Sequence, residues 1–434
     1  MLTVVAALLV AAPTVETDGA TVTGVRAGKV VRYLGIRYAT PADGGSRAGV
    51  PAFSPTKMAR QGGSFGPICP QRIDPHGFGP WTPEFVASGI MAQDCLFLNI
   101  WTPPKPRRAP VLFWIHGGGF VGGSGSVPVY DGTAFARHGV IVVTVNYRLG
   151  EDGFATQRGA RPNVGLHDVV DALRWVRRNV AAFGGDPERI TIAGQSAGAM
   201  LVHALLAMPS AKGLFARAIA QSGLPPEAGI TGTGSRLSLS PDLPLSPRRA
   251  WQSGSAADVP ILVGTTADEA TAFTPVDRVS APPANCGGAG AELQARGVNS
   301  RVAARWCGVR AVLEWWRGRP AGRLSPTYAY LFARVPPGPE AQRWGAFHSA
   351  ELPYVFGTLG KPSDRSYTLV DRQISRRMTA AWADFTRGKA PWPALTENRP
   401  EFQRFSDKSM MTPIMPAAID QLFDAAPGAK PTLF

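Results

Sequence analysis

The sequence predicts an α/β fold in which helices flank a mostly parallel central sheet, with an antiparallel β-meander at the N-terminus. Two observations carry this prediction. Short apolar runs that suit buried strands alternate along the chain with longer segments of helical periodicity. The connections between consecutive runs are long enough for crossover helices, as parallel pairing of strands requires. A chain of 434 residues with 44% hydrophobic residues also supplies one large core, so we interpret residues 1–434 as a single domain.

The predicted elements follow in chain order. Residues 15–38 alternate apolar and polar side chains around turn glycines, which is the pattern of the β-meander, and residues 40–80 are rich in turn formers. Apolar runs predict buried strands at residues 111–115, 140–146, 190–193, 216–220, 259–264 and 327–332. Helical periodicity predicts helices at residues 168–179, 197–208 and 369–386. Residues 224–250 and 275–325 differ in composition, and we expect them to be surface excursions.

The net charge is +14, but the basic residues are scattered singly or in pairs. No recognition motif for nucleic acid accompanies them, so a nucleic-acid partner is not expected. No apolar run reaches the roughly 18 residues that a membrane helix needs, so stable membrane insertion is not expected. The apolar start of the chain, residues 1–13, is either a trimmed export signal or a frayed first strand. Export to a secreted or cell-envelope location is favoured, and a cytoplasmic location stays open.

Ser196 is the leading candidate for a nucleophile. It is the serine of a G-x-S-x-G motif at residues 194–198, which makes a sharp turn between a strand and a helix and exposes the hydroxyl. The predicted strand at 190–193 precedes it, and a helix of small residues follows. Ser64 lies in a second match, but no buried strand precedes it and Pro67 follows it. A plain turn is therefore expected at Ser64.

A glycine-rich loop at residues 116–120 directly follows the predicted strand at 111–115. Successive glycines let backbone N–H groups point into a cavity without obstruction by side chains. Together with the N–H of the residue after Ser196, such donors can hold the oxyanion of a tetrahedral intermediate. A phosphate-binding loop is not supported, because neither a G-K-[ST] ending nor a G-x-G-x-x-G pattern follows.

A serine nucleophile needs a general base, which a carboxylate in turn orients. His348, one of six histidines, follows the last predicted strand, where the chain order serine, acid, histidine would place the base. Asp268 and Glu269 follow the end of the predicted strand at 259–264. On position alone, either carboxylate is suitable.

Together these motifs resemble the type-B carboxylesterases, the carboxylesterase and cholinesterase branch of the α/β-hydrolase superfamily. The matching segments run nearly from end to end, at residues 33–39, 66–71, 93–99, 114–120, 146–150, 163–168, 183–187, 194–199, 221–223 and 348–357. The resemblance implies an α/β-hydrolase fold and hydrolysis of carboxylic esters through an acyl-enzyme. It assigns Ser196 as the nucleophile, His348 as the base and Glu269 as the acid.

The same resemblance implies that Gly118, Gly119 and Ala197 donate the hydrogen bonds of the oxyanion hole. It implies that Cys69 and Cys95 form a disulfide that closes a loop near the site. Neither a metal ion nor an organic cofactor is implied.

The chain departs from the family pattern in three respects. Gln195 precedes the nucleophile where many members have glutamate, which removes a negative charge and weakens the case for a cationic choline ester. The helical insert after residue 223 is largely missing, so residues 224–250 are interpreted as a shortened insert. Cys286 and Cys307 have no clear counterpart, and either a bridge between them or two free thiols stays open.

We therefore expect a serine carboxylesterase that acts on small to medium uncharged esters and whose partner is a small-molecule substrate. Two alternatives stay open. The missing insert is compatible with a catalytically inactive, cholinesterase-like binding protein or remnant. A lipase-like enzyme for longer acyl chains would need a large apolar lid, which residues 224–250 do not obviously supply. The oligomeric state is not predicted.

Overall fold

The computed structural model describes residues 12–40, 63–155, 162–226, 237–273, 286, 289–361, 363–413 and 416–425. The strands are β1 (Thr14–Thr17), β2 (Ala20–Thr23), β3 (Val25–Ala27), β4 (Val30–Arg37), β5 (Phe97–Thr102), β6 (Ala109–Ile115), β7 (Ile141–Val145), β8 (Gly185–Gln195), β9 (Arg217–Gln221), β10 (Ile261–Thr266), β11 (Thr327–Phe332), β12 (Glu401–Phe405) and β13 (Met410–Pro413).

The helices are α1 (Thr133–Arg137), α2 (Gly150–Phe154), α3 (Val164–Asn179), α4 (Ala197–Ala207), α5 (Pro247–Gln252), α6 (Ala289–Ala295), α7 (Ser300–Arg317), α8 (Ala341–Trp344), α9 (Leu352–Val355), α10 (Leu369–Thr386) and α11 (Ala417–Ala425). None of these described helices combines the length and the apolar composition needed to cross a bilayer.

In the described residues, eleven strands form one sheet in the order β13-β12-β11-β10-β9-β8-β6-β7-β5-β4-β3. The pairs from β7 through β6, β8, β9, β10 and β11 to β12 are parallel. The outer pairs on both sides of this parallel region are antiparallel. The mostly parallel sheet of the sequence prediction is confirmed, and the carboxyl ends of β6, β8, β9 and β10 meet at one edge.

Both faces of the sheet are buried, which is why its central strands read as continuous apolar runs. Along β6, Phe113 and Ile115 belong to a core that includes side chains of α3 and α4. The alternate residues, Leu112 and Trp114, belong to a second core that includes side chains of α10. Successive side chains of a strand point to opposite faces, so one strand supplies both cores.

Several predicted elements differ from the structure at their ends. The predicted β-meander divides: β1 and β2 form a separate hairpin, whereas β3 and β4 join the main sheet. Helix α3 begins at Val164, four residues before the predicted start at Asp168. Asp168 is instead buried within the helix, where it forms an ion pair with Arg148 at 2.6 Å.

Strand β5 was not predicted, because the polar Asn99 interrupts its apolar sequence. Asn99 is buried with its hydrogen bonds satisfied inside the sheet: its amide donates to Thr144 Oγ1 at 3.0 Å and accepts from the Gly35 N–H at 2.9 Å. A buried polar side chain with full hydrogen bonding is compatible with a central strand. The sequence pattern alone did not show that partners were available.

The expectation that residues 275–325 form a surface excursion is wrong for helix α7, one side of which belongs to the core. Residues 289–295 and 300–317 are the helices α6 and α7, and Val312, Leu313 and Trp316 of α7 are each about 1% exposed. The many arginines hid the helical pattern, yet Arg310 is itself buried and pairs with Glu314 at 2.9 Å. Cys286 and Cys307 form a disulfide that ties α7 to the preceding segment.

Two other predictions fall largely on undescribed residues. The interpretations of residues 1–13 concern a segment of which only residues 12 and 13 are described. In 224–250, residues 227–236 lie outside the described part, and the remainder includes buried Leu237 and Leu243 and leads into α5. Ser64 lies in an exposed bend, as expected of a plain turn.

Candidate active site

Ser196 lies in a strained turn between β8 and α4. Its φ of 57° and ψ of −125° are unusual for a residue with a side chain, and such strain is found where a side chain must be presented in one direction. The Ser196 N–H donates to Gln221 O at 2.9 Å, and its carbonyl accepts from the Met200 N–H at 3.0 Å. These bonds fix the turn at the carboxyl edge of the parallel sheet.

The glycines of the motif are required by close backbone contacts. A Cβ on Gly194 would lie 2.5 Å from the carbonyl group of Gly198, on the other side of the turn. A Cβ on Gly198 would lie 2.1 Å from the carbonyl oxygen of Ile115, at the end of β6. Both positions therefore need glycine for the turn to pack against the neighbouring strand.

The predicted oxyanion loop follows β6 and lies against this turn. A Cβ on Gly117 would be 3.1 Å from Ser196 Cβ, so the loop and the serine are neighbours. Gly118 and Gly119 have φ of +109° and +62°, and in the described part of the chain no acceptor is bonded to their N–H groups. Ala197 is the first residue of α4, and its N–H has no partner within the helix. Three free backbone donors thus surround the turn of Ser196.

The structure brings Glu269 and His348 together. Glu269 follows β10, and its Oε2 contacts His348 Nδ1, while its Oε1 accepts hydrogen bonds from Thr265 Oγ1 at 2.7 Å and from the Thr266 N–H at 2.8 Å. Burial by itself would raise the pKa of the Glu269 carboxyl, but the charge interaction with His348 and these hydrogen bonds lower it below its ordinary value. Glu269 is therefore an anion positioned to hold the proton of His348 on Nδ1.

Asp268, the other carboxylate that position alone allowed, lies away from the imidazole. Its Oδ2 accepts from the Ala346 N–H at 2.8 Å, and its Oδ1 accepts from Arg305 Nη2 at 3.0 Å. The geometry thus separates two adjacent carboxylates. Glu269 contacts His348, whereas Asp268 accepts hydrogen bonds from the backbone of Ala346 and from the Arg305 side chain of α7.

The second ring nitrogen of His348 faces the turn of Ser196. His348 Nε2 lies 3.1 Å from the side-chain amide nitrogen of Gln195, which is buried. With the proton on Nδ1, Nε2 is an acceptor and the Gln195 amide donates to it. The Nε2 lone pair of the imidazole, which accepts from Gln195, therefore faces the residue directly before Ser196.

A second buried carboxyl lies beside this pair. Glu351 is fully buried; its Oε1 accepts from Gln221 Nε2 at 3.1 Å, and its Oε2 has no partner among the described residues. Burial, with a smaller contribution from repulsion by Glu269, raises the pKa of Glu351 to about 7. Neither Glu351 nor Gln221 is among the site residues predicted from the sequence, although both lie in segments that resemble the family.

Glu351→Gln is expected to change how stability depends on pH. The pKa of Glu351 in the folded protein is about 7, above its ordinary 4.5, so between these values the native state binds more protons than the unfolded chain. Stability is therefore lost as the pH rises through this window. The variant should match the wild type near pH 4 and exceed it by about 3 kcal/mol near pH 9, because one unit of pKa shift corresponds to about 1.4 kcal/mol. Urea unfolding of both proteins at both pH values measures this difference. The same difference in unfolding free energy at the two pH values would contradict the prediction.

Aromatic side chains pack against the buried imidazole of His348 and continue from it towards the surface. Phe273 and Trp81 have ring centroids 5.0 Å and 6.5 Å from that of His348, and Phe78 lies 4.9 Å from Trp81. Phe273 and Phe78 are 52% and 63% exposed. Trp81 also donates from Nε1 to Ser349 Oγ at 3.3 Å. The three rings, which we call the aromatic rim, offer apolar surface next to the predicted catalytic groups.

The Cys69–Cys95 disulfide that the resemblance implied is present, and the loop that it closes contains Trp81. Two of the other histidines, His116 and His203, are buried and are not suited to the role of base. Burial lowers the pKa of His116 to about 4 and that of His203 to about 3, so both are neutral core residues. In the described residues, no group of three or more His, Cys, Asp or Glu side chains is arranged to hold a metal ion.

Known proteins share both the sequence and the architecture. The family model described as the carboxylesterase family matches residues 11–234 and 303–417. A para-nitrobenzyl esterase of Bacillus subtilis (strain 168) is 31% identical, over 89% of this chain and 93% of its own length. A fumonisin B1 esterase of Sphingopyxis macrogoltabida is 32% identical, over 90% of this chain and 84% of its own.

Two solved structures agree with these matches. A PNB esterase superposes with a TM-score of 0.77 and 28% identity, covering 95% of this chain and 99% of its own. A thermophilic PNB esterase superposes with a TM-score of 0.78 and 28% identity, covering 95% of this chain and all of its own. The chain therefore belongs to the carboxylesterase family of the α/β-hydrolase superfamily, and it is a carboxylic-ester hydrolase.

Proposed function

We propose that this esterase hydrolyses small to medium uncharged carboxylic esters through an acyl-enzyme formed on Ser196. The observation that carries the proposal is the contact of Glu269 with His348 beside the strained turn of Ser196. In this arrangement His348 is the general base, Glu269 orients its ring, and the free N–H groups near Ser196 stabilise the developing negative charge.

The reaction begins when Ser196 Oγ attacks the ester carbonyl carbon and its proton passes to His348 Nε2. The N–H groups of Gly118, Gly119 and Ala197 stabilise the oxyanion, each contributing about 3 kcal/mol to transition-state binding. His348 then gives the proton to the departing alkoxide as the carbon–oxygen bond breaks. A water molecule, deprotonated by the same nitrogen, attacks the acyl carbon of the acyl-enzyme. The bond from that carbon to Ser196 Oγ then breaks, the proton passes from His348 Nε2 to Oγ, and the acid is released.

The hydrogen bond between the Gln195 amide and His348 Nε2 must break during the catalytic cycle. In the free protein the Gln195 amide donates to the Nε2 lone pair that accepts the serine proton. Once Nε2 is protonated, the amide oxygen of Gln195 becomes the suitable partner, which a rotation of the side chain supplies. Gln195 thereby serves both protonation states without bringing a charge to the site.

The proposed substrate class follows from the aromatic rim and from the neutral Gln195. Phe78, Trp81 and Phe273 offer rings to apolar groups of the substrate. No negative side chain precedes Ser196 to attract a cationic alcohol, since the residue there is Gln195. Uncharged esters with apolar acyl or alcohol groups fit these two features best.

Hydrolysis of 4-nitrophenyl acetate, butyrate and laurate by the purified protein tests this proposal. We expect the acetate and butyrate to have kcat/KM values at least about tenfold above that of the laurate. A fluorophosphonate probe should label one residue, and peptide mass spectrometry should place it at Ser196. A preference for laurate would favour the lipase-like alternative. A folded protein with neither turnover nor labelling would favour the inactive binding protein.

We also propose that the protein works in an oxidising compartment. Two disulfides, Cys69–Cys95 and Cys286–Cys307, are present in its fold, and such bridges persist mainly outside the reducing cytosol. Alkylation of the native protein before and after reduction checks this. Four thiols reactive without reduction, in protein taken from its own cells, would contradict it.

A further inference from the structure

Helix α7 contacts the turn that carries Glu269. Arg305 donates from Nε to the Ala267 carbonyl at 3.0 Å and from Nη2 to Asp268 Oδ1 at 3.0 Å. Ala267 and Asp268 are the two residues between β10 and Glu269. One guanidinium therefore holds both the backbone and the side chain of the segment that places Glu269.

Asp268 connects this turn to the segment that carries His348. Its N–H donates to the Ala346 carbonyl at 3.0 Å, and its Oδ2 accepts from the Ala346 N–H at 2.8 Å. A Cβ on Gly345 would lie 2.3 Å from Asp268 Oδ2, so the two segments are in close contact. Arg305 and Asp268 thus form one continuous connection, the Arg305–Asp268 link, from α7 through the acid turn to the residue two before His348.

A second arginine of the same helix reaches the same segment. Arg301 donates from Nη1 to the Gln342 carbonyl at 2.7 Å and from Nη2 to the Arg343 carbonyl, and its Nε lies 3.8 Å from Asp268 Oδ1. The Asp268 side chain is only 3% exposed, whereas that of Arg305 is 30% exposed. The link therefore begins near the surface and ends in the protein interior.

The helix itself is well anchored. Cys307, two residues after Arg305, forms the disulfide with Cys286, and Val312, Leu313 and Trp316 are buried in the core. A helix fixed in this way can transmit its position to side chains that project from it. An error of about 1 Å in the placement of reacting groups can cost about 100-fold in rate.

We propose that Arg305 is a positioning residue, which sets the Glu269 carboxylate against His348 Nδ1 through the Arg305–Asp268 link. This inference rests on the proposed function, in which Glu269 and His348 act as acid and base. Arg305 does not contact His348, so its effect is exerted through the geometry of that pair. Without it, the Asp268–Ala346 hydrogen bonds still join the acid turn to the histidine segment, but the turn loses the two hydrogen bonds that tie its backbone and the Asp268 side chain to α7.

Three substitutions test the proposal. Arg305→Met removes both donor nitrogens but keeps most of the apolar stem of the side chain. Arg305→Lys keeps the charge but has one donor nitrogen in place of the two that Arg305 uses. Arg317→Met is the matched control, because Arg317 lies on the same helix and, among the described residues, its ion pair is a 3.7 Å contact with Asp420, far from the acid turn. With 4-nitrophenyl butyrate we expect kcat of Arg305→Met to fall about 30-fold with KM within about twofold of wild type. Arg305→Lys should be intermediate, and Arg317→Met should equal wild type.

A double-mutant cycle separates positioning from a general loss of stability. If Arg305 acts through Glu269, Arg305→Met should cost less than about threefold in kcat when Glu269→Gln is already present. The downfield proton resonance of the His348 Nδ1–H should also shift or broaden in Arg305→Met and remain unchanged in Arg317→Met. A full 30-fold loss in both backgrounds, or wild-type kcat in Arg305→Met, would overturn the inference. Turnover that survives Ser196→Ala would instead overturn the proposed function.

Discussion

Ser196→Ala is expected to lower kcat for 4-nitrophenyl butyrate by about 10⁵-fold or more, leaving only the contribution of the oxyanion donors and substrate binding. The variant lacks the only atom that forms the acyl-enzyme in the proposed mechanism. Its fold should persist, because the bonds that fix the turn are made by the Ser196 backbone. Alanine is also small enough for the space that the serine occupies. Steady-state kinetics and fluorophosphonate labelling measure the loss.

Ser64→Ala is the matched control for this experiment. Ser64 lies in the other G-x-S-x-G sequence of the chain but in an exposed bend, away from any strand-to-helix turn. We expect this variant to keep wild-type kcat and labelling. If both variants keep full activity, Ser196 is not the nucleophile and the acyl-enzyme mechanism proposed here is wrong.

Glu269→Gln should lower kcat by about 10⁴-fold, because it removes the charge that favours the proton on His348 Nδ1. The glutamine carbonyl can still accept from the Thr266 N–H, so this hydrogen bond of the turn is retained in the variant. Its amide, however, would donate to Nδ1 and thereby place the imidazole proton on Nε2, where it blocks acceptance of the serine proton. The effect should appear in kcat much more than in KM, measured with 4-nitrophenyl acetate.

Asp268→Asn is the comparison that separates the two adjacent carboxylates. Asp268 does not contact the imidazole, so its loss should cost only about 10- to 50-fold through the Arg305–Asp268 link. Thermal unfolding of both variants controls for stability. Equal losses of 10⁴-fold would mean that Glu269 has no special role, and a smaller loss for Glu269→Gln than for Asp268→Asn would reverse the assignment.

The central fold could be predicted because each buried strand has an apolar sequence and the turns between elements have strong local signals. Strand β11 and helix α10 have the predicted bounds. The prediction failed where a polar residue is satisfied by a distant partner. Asn99 in β5 and Asp168 in α3 are such cases, since Thr144 and Arg148 supply their partners from other elements.

The residues of the candidate site likewise fall into those that the local sequence predicts and those that only contacts between distant segments identify. Ser196 and the glycine loop could be selected because their sequence contexts restrict the backbone, and His348 because of its place in the chain order after the last predicted strand. Nothing in the local sequence distinguished Asp268 from Glu269 without the family resemblance. That distinction depends on which carboxylate reaches His348, 79 residues away along the chain. The roles inferred for Arg305 and Glu351 depend likewise on contacts between separate elements.

The positions of the catalytic groups along the chain have a consequence for how activity is acquired during folding. Gln195 and His348 are 153 residues apart, and Glu269 and His348 are 79 apart, so the contacts that join His348 to its two partners close long loops. Contacts of such high sequence separation carry a large entropic cost and form late. The helices and the individual hairpins can acquire their structure locally, whereas turnover requires the register of β6 through β11 to be complete. Enzyme activity is therefore a reporter of the last stage of folding, and partially folded chains with abundant secondary structure are expected to be catalytically silent.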